Sequence, residues 1–244
     1  MSLEQSTDRP VHFPADPSCF SFDKEVSEIF PNMALRAIPN FYQAHEAHVR
    51  MLKEHLFPGV KILDIGASRG AFFNALKYNY SDHWVSGAFA MEAVDISQDM
   101  CDLMAAEMPE VYVRQGDISS PDLTLQHGQY DVVCLHYVLQ FVPPAKQDYV
   151  LSRVIELVKP GGVFIYGHKA QHTGKVGAKA HEEYMRFRLG NGYSQEEITA
   201  KTLALKSSMF PVNHEILMEK VKFHFSEVME TYKFMMFSTF FAIK

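Results

Sequence analysis

Two hydrophobic periodicities alternate along the chain. Short, nearly continuous apolar runs, the pattern of buried strands, are separated by stretches in which apolar residues recur at helical spacing. The predicted strands cover residues 60–65, 90–94, 111–113, 130–135 and 163–166, followed by two β-rich runs at 228–234 and 237–243. The predicted helices between them include 71–76, 100–108 and 147–158. The alternation predicts a mostly parallel sheet with right-handed crossovers, and the last two runs, which are nearly adjacent, predict antiparallel strands at its edge.

The N-terminal part of the chain departs from this alternation. Residues 1–21 are rich in proline and polar residues, which predicts an irregular arm. Residues 22–56 show helical spacing of apolar and aromatic residues. Pro31 and Pro39 interrupt this spacing, and we expect the helices to break there because proline removes a backbone donor.

A second departure follows the fifth strand. Residues 168–225 are largely polar and helical, with a capping box formed by Ser194 and Glu197. We therefore predict a single Rossmann-like α/β domain over residues 22–244, with a mostly parallel seven-stranded sheet and helices on both faces. The N-terminal helices and the 168–225 insertion are expected to cover a substrate pocket.

Composition narrows the possible functions. A chain of 244 residues with 47% hydrophobic content can bury one substantial core. Its formal net charge of −6 argues against a broad basic surface for nucleic acid. We expect neither a signal peptide nor a membrane span, because the N-terminus lacks a basic and an apolar region and the apolar runs are short. Cys19, Cys101 and Cys134 are widely spaced with no CxxC pair, which favours a reducing, cytoplasmic compartment.

The most informative segment is the first strand and the loop after it, ILDIGASRGAF at 62–72. Gly66 and Gly70 can adopt backbone angles that let a strand-to-helix loop pass close beneath a ligand. Asp64 would repel the pyrophosphate of a dinucleotide, but it suits S-adenosylmethionine (SAM), which carries an ammonium and a sulfonium. The alternative is a tight structural turn in another Rossmann-like protein.

Acids also follow the next two strands. Asp95 ends the second strand, where its two oxygens match the hydroxyls of a ribose; alternatively, it is only a neighbour of the helix cap at Ser97. Asp117 follows the third strand and could accept from an adenine amino group while Ile118 packs on the base; a turn aspartate is the alternative. Ligands of open α/β sheets bind outside the carboxyl ends of strands, so the three loops together predict an adenosine site.

The fourth strand ends in His136 and Tyr137. Strand topology places them beside the sulfonium, so His136 is a candidate for contacting the cofactor or acting as a base, and a structural histidine is equally consistent. Methyl transfer needs little beyond in-line approach and desolvation, so the absence of an obvious acid–base pair does not oppose it. His168 and Lys169, after the fifth strand, are weaker candidates for the substrate side.

Three histidines lie in the N-terminal helical region, namely His45, His48 and His55. Their spacing invites a metal site, but we predict none because no carboxylate or cysteine arrangement completes a tetrahedral set. Tyr42, in the same region, could fold over the cofactor as a lid. The C-terminal aromatic run, 234–241, is predicted to be sheet core rather than a base-stacking platform.

Several segments outside the nucleotide loops match one known family. They read FDKEV at 22–26, IFPNM at 29–33, LQF at 139–141, NGYS at 191–194 and AIK at 242–244. On these segments the chain resembles the carboxy-SAM synthases that serve tRNA wobble-uridine modification, members of the class I SAM methyltransferase superfamily. The resemblance implies a homodimer and a nucleoside site. By position, the site residues it implies are Gly66, Ala67, Ser68, Asp95, Ile96, Asp117, Ile118 and His136, with Phe41 or Tyr42 near the ligand.

Two positions differ from that family. His136 stands where the family has an asparagine. The family's arginine that holds the extra carboxylate of carboxy-SAM falls at Thr202, and a neutral threonine cannot make the bidentate contacts of a guanidinium. Lys201, Arg186 and Arg188 are the nearby cations that could take its place.

Three hypotheses follow. The leading one is a cytoplasmic SAM-dependent methyltransferase, a one-carbon transferase that converts SAM to S-adenosylhomocysteine (SAH) and acts on an unidentified small-molecule or tRNA-pathway acceptor. The second is a carboxy-SAM synthase-like transferase that uses SAM and a carboxylate donor such as prephenate. The third is a SAM-binding protein without catalysis. None of the three involves a membrane.

Overall fold

The computed structural model describes residues 21–244, so the predicted arm lies outside the described residues except for Ser21. The strands are β1 Lys61–Ile65, β2 Ala90–Asp95, β3 Tyr112–Gln115, β4 Tyr130–His136, β5 Val158–Lys169, β6 Glu227–Phe234 and β7 Phe237–Ile243. They form one sheet of order β3-β2-β1-β4-β5-β7-β6. Strands β1 to β5 pair in parallel, and β7 is antiparallel to both β5 and β6. The predicted fold class is confirmed, including the antiparallel C-terminal edge.

Helices cover both faces of this sheet. They are α1 Lys24–Ala37, α2 Phe41–Met51, α3 Ala71–Asn79, α4 Ser81–Val85, α5 Gln98–Glu107, α6 Pro144–Leu157, α7 Gly174–Gly190, α8 Gln195–Ala204 and α9 His214–His224. Apolar residues of α6 and α9 pack on one face, and those of α2 to α5 pack on the other. The capping box predicted at Ser194 and Glu197 opens α8.

The central strands explain the continuous apolar runs in the sequence. Leu63 and Val133 face one layer of helices, and Ile62 and Val132 face the other, and all four side chains are fully buried. A parallel strand covered on both faces needs apolar residues at consecutive positions rather than at alternate ones. The burial of both faces leaves the ends of the strands as the place where a polar site can form.

Pro31 does not break the first helix, contrary to the prediction. It lies inside α1, which runs unbroken from Lys24 to Ala37. Proline leaves the carbonyl four residues earlier without its helical donor, and here that carbonyl belongs to Ser27. The guanidinium of Arg69 donates to this oxygen at 3.2 Å. A residue from the loop after β1 therefore replaces the missing hydrogen bond. Helix α1 is thereby attached to that loop.

Strand β5 begins five residues earlier than predicted. Helix α6 ends at Leu157 and the strand starts at once with Val158, so Pro160 and the two following glycines lie within the strand instead of before it. The pairing with β4 shifts register between Tyr130 and Val132, which accommodates the extra residues as an irregularity at the end of the ladder.

Candidate functional site

A cavity of about 1130 Å³ lies at the carboxyl ends of the parallel strands. Pockets for a single small ligand usually measure about 300–1000 Å³, so this one has room for a nucleoside cofactor and a co-substrate. The sheet edge, α1 and α2, and parts of α7 and α8 enclose it. The predicted site residues that line it are Tyr42, Asp64, Gly66, Ala67, Ser68, Asp95, Ile96, Asp117, Ile118, His136 and Tyr137. Gly70 is the one predicted site residue that does not.

The two glycines of the first loop have different roles. Gly66 has φ +67°, and a Cβ atom there would lie 2.3 Å from Cγ2 of Val138, so the loop after β1 is pressed against the loop after β4. Gly70 also has a positive φ, but it caps α3 and a Cβ there would meet Met108 at 2.9 Å. Gly70 thus turns the chain into α3 and packs on α5, and its contact with the cofactor stays a prediction.

Asp95 links two of the predicted loops. One oxygen of its carboxylate accepts from the backbone N–H of Ser68 at 2.8 Å, and the other accepts from that of Ser97 at 2.9 Å. Burial raises the pKa of Asp95, although these donors act in the opposite direction. The side chain of Ser97 caps α5, as predicted. Each oxygen keeps a lone pair beyond these bonds, so Asp95 braces the site and can still accept from a ligand.

Asp64 is a buried carboxyl group on the cavity wall. Within residues 21–244 it takes part in no ion pair, and the thiol of Cys134 is its hydrogen-bonding neighbour. Burial raises the pKa of Asp64 to about 8, and the nearby Asp95 adds to this shift. A buried carboxyl group without a cation is stabilised in its charged form only when a positive ligand group arrives.

Asp117 forms a local turn as well as lining the cavity. Its two oxygens accept from the backbone N–H and the hydroxyl of Ser119 at 2.8 and 2.9 Å. This is the turn arrangement that the sequence left open as the alternative. The turn places Ile118, which is buried, at the same cavity edge.

His136 belongs to a cluster of three buried imidazoles. Its ring centroid lies 4.3 Å from that of His45 and 4.9 Å from that of His48, both on α2. Burial is the main cause that lowers the pKa of His136 well below 6.5, of His45 to about 3 and of His48 to about 4. All three rings are therefore neutral near pH 7. Tyr137, the next residue, has φ +58°, an uncommon conformation for a bulky residue that marks the end of β4.

A group of cations lines the opposite side of the cavity. Lys169 from β5, Arg188 from α7 and Lys201 from α8 all face it. Arg188 is 4% exposed, its Nε has no hydrogen-bond partner, and no ion pair within residues 21–244 includes Arg188 or Lys169. Burial and the neighbouring cations lower the pKa of Lys169 to about 8 and that of Lys201 to about 7. The three elements therefore concentrate positive charge at one wall.

Two tyrosines that the sequence did not single out support this cationic wall. The Tyr184 ring lies under the Arg188 guanidinium at 4.4 Å and the Lys169 ammonium at 4.8 Å. The Tyr193 hydroxyl lies 3.2 Å from the Lys201 ammonium. Aromatic faces attract cations but carry no negative charge, so these two rings do not neutralise the cations of the wall. Tyr193 belongs to the family-like NGYS segment at 191–194, and that segment was the only feature of the sequence that pointed to this tyrosine.

The structure also separates the cations proposed to replace the missing arginine. Arg186 is exposed and pairs with Glu183 on the outer side of α7, so it does not reach the cavity. Thr202 lines the cavity, but its hydroxyl donates to the carbonyl of Ile198 within α8. Arg188 and Lys201 remain as the cations next to that position.

Other candidates fall outside the cavity. His168 is buried against Phe240 and lies 3.3 Å from His214, so its role is in packing, whereas its neighbour Lys169 does line the cavity. The C-terminal aromatic residues Phe237, Phe240 and Phe241 are buried, as predicted, and Phe234 is partly exposed. The described residues contain no cluster of histidine, cysteine, aspartate or glutamate that could hold a metal ion.

Comparison with known proteins assigns a family to this arrangement. A family model described as a methyltransferase domain matches residues 62–162. Residues 62–162 of the chain thus match the methyltransferase domain family. The matched residues run from β1 into β5 and include the first three nucleotide loops and the end of β4. The predicted superfamily, the enzyme class and SAM as the cofactor are thereby confirmed.

Relatives of this methyltransferase domain agree with the fold over nearly the whole chain. The carboxy-S-adenosyl-L-methionine synthase of Desulfotalea psychrophila is 29% identical over 233 residues, which is 92% of each chain. Magnesium protoporphyrin IX methyltransferase from Synechocystis PCC 6803, solved with SAH, has a TM-score of 0.62 at 14% identity over 91% of this chain and 96% of that one. PigF, solved with SAH, has a TM-score of 0.58 at 15% identity over 90% of this chain and 58% of its own. None of the helices between residues 21 and 244 has the length and apolarity to span a bilayer.

Proposed function

We propose that the chain is a SAM-dependent transferase whose co-substrate is a small molecule with an anionic group. One observation carries this proposal: the cavity has buried carboxyl groups at one wall and buried cations at the other. Asp64 and Asp95 lie at the strand ends, and Lys169, Arg188 and Lys201 lie across from them. A cationic nucleoside and an anionic partner complement these walls.

The carboxyl wall fits SAM. Among residues 21–244 no cation pairs with Asp64, and the ammonium of SAM is its proposed partner. Asp95 is proposed to accept from the ribose hydroxyls with its remaining lone pairs, and Asp117 and Ile118 to border the adenine. Tyr42 on α2 lines the cavity and is proposed to close over the cofactor. Bound SAM supplies an electrophilic one-carbon group on its sulfonium.

The cationic wall fits a carboxylate or a similar anion. Arg188 is buried, and its Nε–H has no hydrogen-bond partner within residues 21–244. A buried donor without a partner costs about 1–3 kcal/mol, which an anion at this wall would recover. Lys169 and Lys201 add point charges on either side of it. The wall therefore holds one end of the co-substrate and leaves its other end free to approach the sulfonium.

A second, finer candidate is a carboxy-SAM synthase that uses SAM and a carboxylate donor. The name of the Desulfotalea psychrophila relative favours it. The objection from Thr202 is weakened because Arg188 and Lys201 present positive charge at the same part of the cavity. In this reaction the donor would release its carboxyl carbon as CO2, and the methyl carbon of SAM would lose a proton and form a bond to that carbon. The proton and the hydroxide that leaves a donor such as prephenate would form water.

Mass spectrometry separates the two candidates. The purified protein is incubated with SAM and prephenate, and the nucleosides are released and weighed. Carboxy-SAM, heavier than SAM by one carboxyl group, identifies the synthase. Formation of SAH with a panel of other small carboxylic acids, and no carboxy-SAM, identifies a methyltransferase of an anionic acceptor. Turnover of SAM only with uncharged or cationic acceptors would contradict the proposal.

The affinity of the cationic wall for anions is expected to fall as pH rises through 7 to 8. Lys201 and Lys169 have pKa values of about 7 and 8 in the free cavity, so both are charged at lower pH and lose their charge in this range. Arg188 and the two tyrosines at the wall, Tyr184 and Tyr193, do not change charge there. Lysine side-chain NMR titrations should show two groups titrating between about pH 7 and 8. Titration of every lysine near pH 10 would contradict this expectation.

A further inference from the structure

The imidazole cluster at the end of β4 contains two histidines, His45 and His48, whose ring centroids lie 4.3 and 4.9 Å from that of His136 but which are bonded differently. Nε2 of His45 lies 3.4 Å from Nδ1 of His136. His48, one helical turn further along α2, directs its Nε2 to the hydroxyl of Thr231 at 2.6 Å. The hydroxyl of Thr231 in turn lies 2.8 Å from that of Thr239, so His48 belongs to a network that runs into the sheet edge.

The other ring nitrogen of His136 has no hydrogen-bond partner in the part of the chain that the structure describes. Its Nε2 is buried without a hydrogen bond, and the residue lines the cavity between the carboxyl wall and the cationic wall. A neutral imidazole carries one N–H and one lone pair, so the bond at Nδ1 decides which of the two is presented at Nε2. When Nδ1 donates to His45, Nε2 carries the lone pair.

The surroundings of His45 favour this direction. If Nε2 of His45 accepts, its Nδ1 carries a proton that has no oxygen or nitrogen acceptor among residues 21–244. The Phe41 ring packs nearly perpendicular to the His45 ring, at 83° and with 4.9 Å between the ring centroids, an edge-to-face contact that an N–H on the imidazole edge can use. If Nε2 of His45 instead donates to Nδ1 of His136, the proton without a partner is the one on Nε2 of His136.

We propose that His45 is a positioning residue that holds His136 in the Nδ1–H tautomer, so that Nε2 of His136 takes a proton from the co-substrate. This inference rests on the proposed function, and it specifies that the atom that accepts the one-carbon group is a heteroatom that carries a proton. As that heteroatom forms its bond to the transferred carbon and the carbon–sulfur bond breaks, its proton passes to Nε2. SAH leaves as the neutral product, and the imidazolium then returns its proton to solvent.

The tautomer itself is measurable without a substrate. In protein with ¹⁵N-labelled histidine near pH 7, the chemical shifts of His136 should report a protonated Nδ1 and an unprotonated Nε2. His45→Leu should move His136 towards the Nε2–H form, and His45→Gln should restore the original form because its amide oxygen can accept. His48→Leu is the matched control: it removes an imidazole at nearly the same distance and should leave the His136 tautomer unchanged.

Turnover gives the second measurement. With whichever protic acceptor supports turnover, His45→Leu should lower kcat by about 10-fold or more with little change in the KM for SAM, and His45→Gln should recover most of it. An Nε2–H tautomer in the unmodified protein, or equal shifts of the tautomer in His45→Leu and His48→Leu, would overturn the inference even if transfer occurs. The predicted tautomer without any SAM turnover would instead count against the proposed function alone.

Discussion

Arg188→Met is expected to lower kcat/KM for the anionic co-substrate by about 30-fold or more. Arg188 is buried at the cationic wall, and truncation of one partner of a buried charge pair costs about 2–5 kcal/mol, where each 1.4 kcal/mol is tenfold. Methionine keeps much of the side-chain length and its contact with Tyr184. The loss should appear mainly as a higher KM for the co-substrate, because the carboxyl wall that holds SAM is unchanged.

Arg186→Met is the matched control for this experiment. It removes the same charge from the same helix two residues away, but Arg186 is exposed and pairs with Glu183. A surface pair of this kind contributes about 0–1 kcal/mol, so kcat/KM should stay close to that of the unmodified protein. Equal losses in the two variants would mean that Arg188 acts through general charge and does not contact the co-substrate.

Asp95→Ala is expected to weaken SAM binding by about 100-fold or more. The substitution removes two acceptor oxygens for the ribose, and hydrogen bonds to a charged group contribute about 1.5–3 kcal/mol each. It also releases the backbone N–H groups of Ser68 and Ser97, so the two loops lose their common anchor. Isothermal titration calorimetry with SAM measures the change in Kd.

Two further variants calibrate the result. Asp95→Asn keeps one acceptor oxygen and should lose less affinity than the alanine variant. Asp102→Ala removes an exposed carboxylate of α5 that accepts a hydrogen bond from the side chain of Gln98, and SAM affinity should not change. Unaltered SAM affinity in Asp95→Ala would refute the assignment of the ribose site.

The acidic side of the site could be predicted because its determinants are local. Asp64 and Asp95 lie at the ends of apolar runs that predict buried strands, and Asp117 follows the short third strand. Parallel strands bring their carboxyl ends to one sheet edge. The positions of the three aspartates in the sequence therefore predicted that they lie close together at one edge of the sheet. In the structure all three aspartates line the same cavity. The strand order alone was enough to predict that they meet.

The cationic wall could not be predicted in the same way. Lys169, Arg188 and Lys201 come from a strand and two helices of the covering segment, and their convergence depends on how those helices pack. The sequence named all three as isolated candidates but could not separate Arg188 from Arg186, which face opposite sides of one helix. The contact between His45 and His136 was equally hidden, because 91 residues separate them.

Predictions from residue type alone failed where a residue distant in the sequence supplied a missing contact. Pro31 stays within α1 because Arg69, from another element, donates to the carbonyl that proline leaves free. The motif predicted that Gly70 contacts the ligand, and the structure adds that its positive φ turns the chain into α3 and that its Cα packs on Met108. Neither the Arg69 contact nor the Met108 contact can be predicted from the residue type alone.

The central claim is that a buried carboxyl group receives the positive charge of SAM, and calorimetry tests it directly. In the free cavity Asp64 has a pKa of about 8, so it is protonated near pH 6.5 and must ionise when the ammonium arrives. Titration of SAM at this pH in two buffers of different ionisation enthalpy should show one SAM per chain and release of about one proton, absent in Asp64→Asn. Proton uptake, or no binding of SAM, would contradict the account.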